Sequence, residues 1–119
     1  FVVPTTSRFD DPAHGQTLHV SEGTAALLKG IAYAGARGVN GVEVSVDNTQ
    51  TWHTAQLAYK GAPMAWVLWS YEWRPMQPGG YVLVVRATDG TGTLQTAMDR
   101  SFAPEGATGY HYITVRVEG

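Results

Sequence analysis

At 119 residues, with charged residues at 15% and a formal charge of −2, the chain has room for one domain and too little charge for disorder. Only two of the eight basic residues are Lys and no basic patch forms, which excludes a nucleic-acid partner. Without Cys there is no disulfide, thiolate metal site or cysteine nucleophile, and no apolar run nears the roughly 18 residues of a membrane helix.

In chain order, residues 1–14 read as a linker or extended lead-in to a single domain spanning 1–119. The chain begins at Phe1 and shows no signal peptide, so it reads as a piece excised from a longer protein. Expected strands then follow at Gln16–Val20, Ala25–Ala34, Val39–Val46, Thr51–Tyr59, Ala65–Trp73, Tyr81–Asp89 and Tyr110–Val117. In the third of these, Val42, Val44 and Val46 alternate with Glu43 and Ser45, the period of a half-buried strand. Tyr81–Asp89 is apolar at both parities, which predicts a central or covered strand. Turn signals recur about every 8 to 12 residues, among them Asp47-Asn48, Pro78-Gly-Gly80 and Asp89-Gly-Thr-Gly92. About seven short strands with that punctuation predict an all-β fold, an immunoglobulin-like sandwich.

Little chemistry stands out. The four His, at 14, 19, 53 and 111, form no i, i+4 pair and have no carboxylate within two residues, so no metal site is expected. His111 is the least ordinary, set between Tyr110 and Tyr112. Asp47-Asn-Thr-Gln50 lacks the spaced carboxylates of a calcium loop and reads as a hairpin turn. No nucleophile elbow, P-loop or dinucleotide fingerprint occurs, so no catalytic residue is assigned.

The aromatic residues are a stronger signal. Trp52, Trp66, Trp69 and Trp73 fall within 22 positions, with Tyr71 between the last two. On a strand, Val67, Trp69, Tyr71 and Trp73 share one face; Trp66, Leu68, Ser70 and Glu72 share the other. Trp and Tyr beyond what one core needs point to an interface, with Trp66, Trp69, Tyr71 and Trp73 as candidates. Two alternatives stay open: all four Trp inside the core, or a sugar-binding strip on an independent carbohydrate- or protein-binding module.

One ordered set of motifs is more specific. It runs Gly30-Ile-Ala-Tyr-Ala-Gly35, Gly41-Val-Glu-Val-Ser-Val-Asp47, Thr51-Trp52, Ala65-Trp66, Leu68-Trp69, Val85-Arg-Ala-Thr-Asp89 and Gly109-Tyr-His-Tyr-Ile-Thr-Val115. This set resembles the C-terminal dimerisation domain of molybdenum-cofactor oxidoreductases of the sulfite oxidase family, over about 100 residues from roughly Gly15 onward. The resemblance implies an immunoglobulin-like (E-set type) sandwich that pairs two subunits as a two-fold homodimer and supports the cofactor domain of its own chain. It also implies no cofactor in this piece, molybdopterin in an absent catalytic domain, and a bacterial extracytoplasmic parent enzyme. Glu105 stands where sulfite-oxidising members carry a substrate-binding Arg, so the resemblance implies a parent substrate other than sulfite. Glu105 and His111 are then expected to face the catalytic domain.

Overall fold

The computed structural model describes residues 5–20, 24–59, 66–95 and 110–118. They form nine strands: β1 (Thr6–Asp11), β2 (Thr17–His19), β3 (Ala26–Tyr33), β4 (Val39–Ser45), β5 (His53–Thr54), β6 (Gln56–Tyr59), β7 (Val67–Trp73), β8 (Gly79–Asp89) and β9 (Tyr112–Glu118). A single 3-10 turn, Gly35–Arg37, is the one helical element among the described residues. Two sheets pack as a sandwich, ordered β1-β3-β7-β6 and β2-β9-β8-β4-β5. All pairings are antiparallel except β2 on β9.

Two differences from the sequence reading raise the strand count. Residues 6–11, read as lead-in, form β1 and close one edge of the four-stranded sheet. Ser7 and Phe9 point inward and are buried there, while Thr6, Arg8 and Asp10 face solvent, an alternation a linker would not need. The expected strand Thr51–Tyr59 divides at Ala55: β5 pairs with β4 in one sheet and β6 with β7 in the other. Ala55 is buried at that corner and its N–H donates to the Val42 carbonyl at 2.8 Å, so the crossing leaves no backbone donor stranded.

The alternation in β4 holds, with Val42 and Val44 buried in the core and Glu43 on the outer face. β8, apolar at both parities, lies between β9 and β4 near the middle of its sheet, with Leu83, Val84 and Val85 all fully buried. Leu83 and Val85 join Leu28 and Trp69 of the facing sheet, and Ile113 and Val115 of neighbouring β9, in a core of the kind that carries most of a domain's stability.

Both expected hairpin turns are built on an aspartate. In the β4–β5 loop, the Thr51 N–H and hydroxyl donate to the Asp47 carboxylate at 2.9 and 2.6 Å, and the Ser45 hydroxyl donates at 2.8 Å. Partial burial pushes the Asp47 carboxyl up, yet the Thr51 and Ser45 hydrogen bonds outweigh it and hold the pKa below its ordinary value. After β8, Asp89 accepts from the Thr91 hydroxyl (2.6 Å) and from the Thr91 and Thr93 N–H groups, and it meets Arg37 at 3.0 Å. Those bonds, the Thr91 hydroxyl foremost, lower its pKa. Each carboxylate is thus turned toward its own loop, as a turn requires.

Gln95 fastens β1 to the second sheet. Its side-chain oxygen accepts from the Ser7 hydroxyl (2.8 Å) and the Ala87 N–H (3.1 Å), and its own N–H donates to the Ala87 carbonyl at 2.7 Å. Gln95→Leu leaves the N–H of buried Ala87 without a partner. A loss of about 1–3 kcal/mol is expected, read as a lower urea midpoint at constant slope. An unchanged midpoint would show that water replaces the amide without penalty.

Candidate interaction face

The outer surface of the four-stranded sheet carries an exposed apolar patch among its polar residues. Along β3, Leu28, Gly30 and Ala32 point inward, leaving Leu27, Lys29, Ile31 and Tyr33 outside. In β7, Val67, Trp69 and Trp73 are buried, and the opposite parity carries Trp66, Leu68, Ser70 and Glu72. Register brings these sets together: Ile31 pairs with Leu68, and Ala58 of β6 pairs with Leu68 from the other side. At the end of the same face, the Tyr33 and Trp66 rings lie 4.7 Å apart at 33°. Among the described residues, Leu27 at 49%, Trp66 at 48% and Leu68 at 39% are three of the five exposed large hydrophobic residues, and all three are on this face. Beside them a groove of about 330 Å³ runs between Lys29, Gln56 and Ser70, with Asp10 at its rim.

The outer face of the five-stranded sheet is built differently. There Arg86 Nε meets Glu43 Oε1 at 2.9 Å, and Arg116 meets Glu118 at 3.3 Å. Trp52 lies on this side, with the Arg86 guanidinium 3.9 Å above its ring and Tyr110 edge-on at 6.0 Å. Its indole is therefore already occupied.

Of the four interface residues expected from the sequence, only Trp66 stands on an outer face. Trp69 is 1% exposed and Trp73 5%, so both belong to the core, which corrects the reading of them as interface residues. Tyr71 shares their inward parity, packs against the core and stacks on His53 at the sandwich margin, with ring centroids 5.4 Å apart. The reason is that the small residues Gly30 and Ala26 on β3 stand opposite Trp69 and Trp73 on β7 and leave a volume that the indoles fill. Leu27, Ile31 and Tyr33 were missed, although residues 26–33 are apolar at both parities, the signal read correctly for β8. The four Trp do not line up on one face, so the flat row a sugar-binding strip requires is not formed.

Glu105 lies outside the described residues. His111 sits just before β9, where its Nδ1 accepts the Phe9 N–H at 3.0 Å and its ring lies 5.9 Å from the Phe9 ring. Partial burial, followed by the positive charge of Arg8, lowers its pKa. The donor set does not fit a molybdenum cofactor: there is no cysteine, and among the described residues no three His, Asp or Glu side chains gather.

The two packed sheets and this exposed patch describe an immunoglobulin-like sandwich module. Residues 2–118 match the family model described as the Mo-co oxidoreductase dimerisation domain, and the chain belongs to that family. Among solved structures it is similar to the sulfane dehydrogenase SoxCD from Paracoccus pantotrophus, with a TM-score of 0.66 and 23% identity over 93% of this chain. The match spans 29% of the SoxCD chain. A CARDB domain from Pyrococcus furiosus, solved with di-metal ions, matches with a TM-score of 0.54 and 18% identity, over 99% of this chain and 90% of that one. A modular endo-beta-1,4-mannanase from Cellulomonas fimi gives 0.51 and 21%, over 96% and 18% of the two chains. At these identities the structural matches speak for the fold alone. No curated protein sequence matches the chain.

Proposed function

We propose that this domain pairs two copies of a longer molybdenum-cofactor oxidoreductase through the outer face of its four-stranded sheet, and has no turnover of its own. The cofactor then belongs to another part of that longer chain. Family membership supports the pairing role. The observation that carries the choice of surface is the contiguous patch of Tyr33, Trp66, Ile31 and Leu68. A two-fold contact uses the same patch on both copies, so Trp66 and Leu68 each contribute twice. Covering exposed Trp and Leu with a partner is favourable by roughly 25 cal/mol per Å² of apolar area before association costs are subtracted.

Sedimentation of the intact protein at micromolar concentration tests this. The wild type is expected to sediment as two copies, and Trp66→Asp with Leu68→Asp as one that keeps the far-ultraviolet circular dichroism of a folded sandwich, with a melting temperature lowered by what pairing contributes. Each aspartate would be buried at the contact, so pairing should weaken by roughly a hundredfold or more. A wild type that is single at every concentration, or a doubly substituted protein that still pairs, would sink the proposal.

A further inference from the structure

We propose that the two-fold axis of the pair runs along the strands, between β3 and β7, so that Lys29 of each copy is held by Glu72 of the other. The inference rests on the pairing proposed above and adds which residues meet across it. Strand register sorts the outer face into rows. Tyr33 and Trp66 form the first row, Ile31 and Leu68 the second. Lys29, Ser70 and Gln56 form a third, polar row with Asp10 beside it, and Leu27 and Glu72 form a fourth. Apolar side chains therefore fill one end of the face, and the charges lie toward the other.

A two-fold that sets a surface on its own copy lies in the plane of contact, either along the strands or across them. Placed across them at the middle of the face, it lays Ile31 and Leu68 on Lys29 and Ser70, and Trp66 on Glu72. Two charges are then covered by apolar groups, which is strongly unfavourable. Slid toward the apolar end, the same axis matches apolar rows but covers only half the length of the sheet. At ordinary strand spacing the whole face measures roughly 20 by 27 Å, about 500 Å² in projection. A standard contact takes about 800 Å² of accessible surface per partner, which the corrugated full face approaches and half of it does not.

With the axis along the strands, every row meets itself. β3 lies over β7 of the second copy, so Tyr33 meets Trp66 and Ile31 meets Leu68. Lys29 meets Ser70, with Glu72 one row further on. β1 lies over β6 of the second copy, which sets the Asp10 carboxylate opposite the Gln56 amide, a donor. Lys29 forms no ion pair among the described residues, and Glu72 meets Arg74 at 3.6 Å with both side chains exposed. The second copy thus gives Lys29 a carboxylate and closes the groove it lines. Twisted sheets pack with their strands within about 30° of each other, which keeps these neighbours in reach close to the axis.

Distances between paired nitroxide labels on the intact protein test the axis. One label site is Ala36→Cys, exposed in the turn after β3; the other is Met76→Cys, 90% exposed after β7. β3 and β7 are antiparallel, so the two sites lie at opposite ends of the sandwich and off the pairing face. These 119 residues hold no other thiol, and the unsubstituted protein reports any thiol elsewhere in the chain. An axis along the strands keeps both separations at roughly 20–35 Å, because each end lies against itself; an axis across them puts the Met76 pair beyond roughly 40 Å. Lys29→Glu sets two acids against each other across the contact and should weaken pairing roughly tenfold or more, read by sedimentation. A paired protein whose Met76 labels are far apart, or whose affinity ignores Lys29→Glu, overturns the axis and leaves the pairing standing. Labels that stay close in the Trp66→Asp, Leu68→Asp protein, or a wild type that sediments as one copy, overturn both.

Discussion

Trp69→Ala is expected to lower stability by about 3–5 kcal/mol, the range for emptying a large aromatic site in a packed core. Trp69 is 1% exposed and meets the Phe9 ring edge-on at 5.3 Å, over Gly30 of the strand between them. Register explains the contact: Phe9 on β1 and Trp69 on β7 both pair with Gly30 of β3, so the two rings close over a position without a side chain. Small domains are stable by only about 5–15 kcal/mol, so this one change should lower Tm by roughly 10–20 °C. Calorimetry alongside sedimentation separates core from interface. A variant as stable as the wild type but unable to pair would restore Trp69 to the interface and refute its place in the core.

Gly30→Ala is the second large effect, and its sign runs against strand propensity. Gly within a strand ordinarily costs about 0.5–1 kcal/mol relative to Ala, so propensity alone predicts a gain. Here a Cβ on residue 30 would lie 1.8 Å from the Arg8 carbonyl oxygen and 2.9 Å from Cζ2 of Trp69. Neither the backbone of a paired strand nor a buried indole yields cheaply. A loss of about 3 kcal/mol or more follows. The control is Gly80→Ala in β8, where a Cβ meets nothing within 4 Å and a gain of up to about 1 kcal/mol is expected. Parallel denaturant titrations compare the pair, and a neutral Gly30→Ala would mean that the β1–β3 approach relaxes freely. Since Trp69 contributes one of the two clashes, its cost and that of Gly30→Ala should not add.

Alternation of period 2 located most of the strands, because the pleat reverses side chains at each residue whatever the strand pairs with. It also separated Trp66 from Trp69 and Trp73 correctly, placing them on opposite faces of one strand. What it could not supply was which face turned inward. That depended on Gly30 and Ala26, small residues on a different strand whose register with β7 is a long-range fact. β1 was missed for a related reason: its inward residues Ser7 and Phe9 are held by Gln95, His111 and Trp69, none of them near in sequence.

The sequence by itself determined an all-β sandwich, its two aspartate-built turns, the absence of thiolate chemistry and the family to which the chain belongs. These follow from local alternation, turn residues, composition and motif order, all of which survive without knowledge of neighbours. Only the tertiary structure decided which aromatics are core, which sheet carries the exposed apolar patch, and how its outer residues fall into rows. Those outcomes depend on strand register and on volumes shared between distant segments, and no window of adjacent residues contains either.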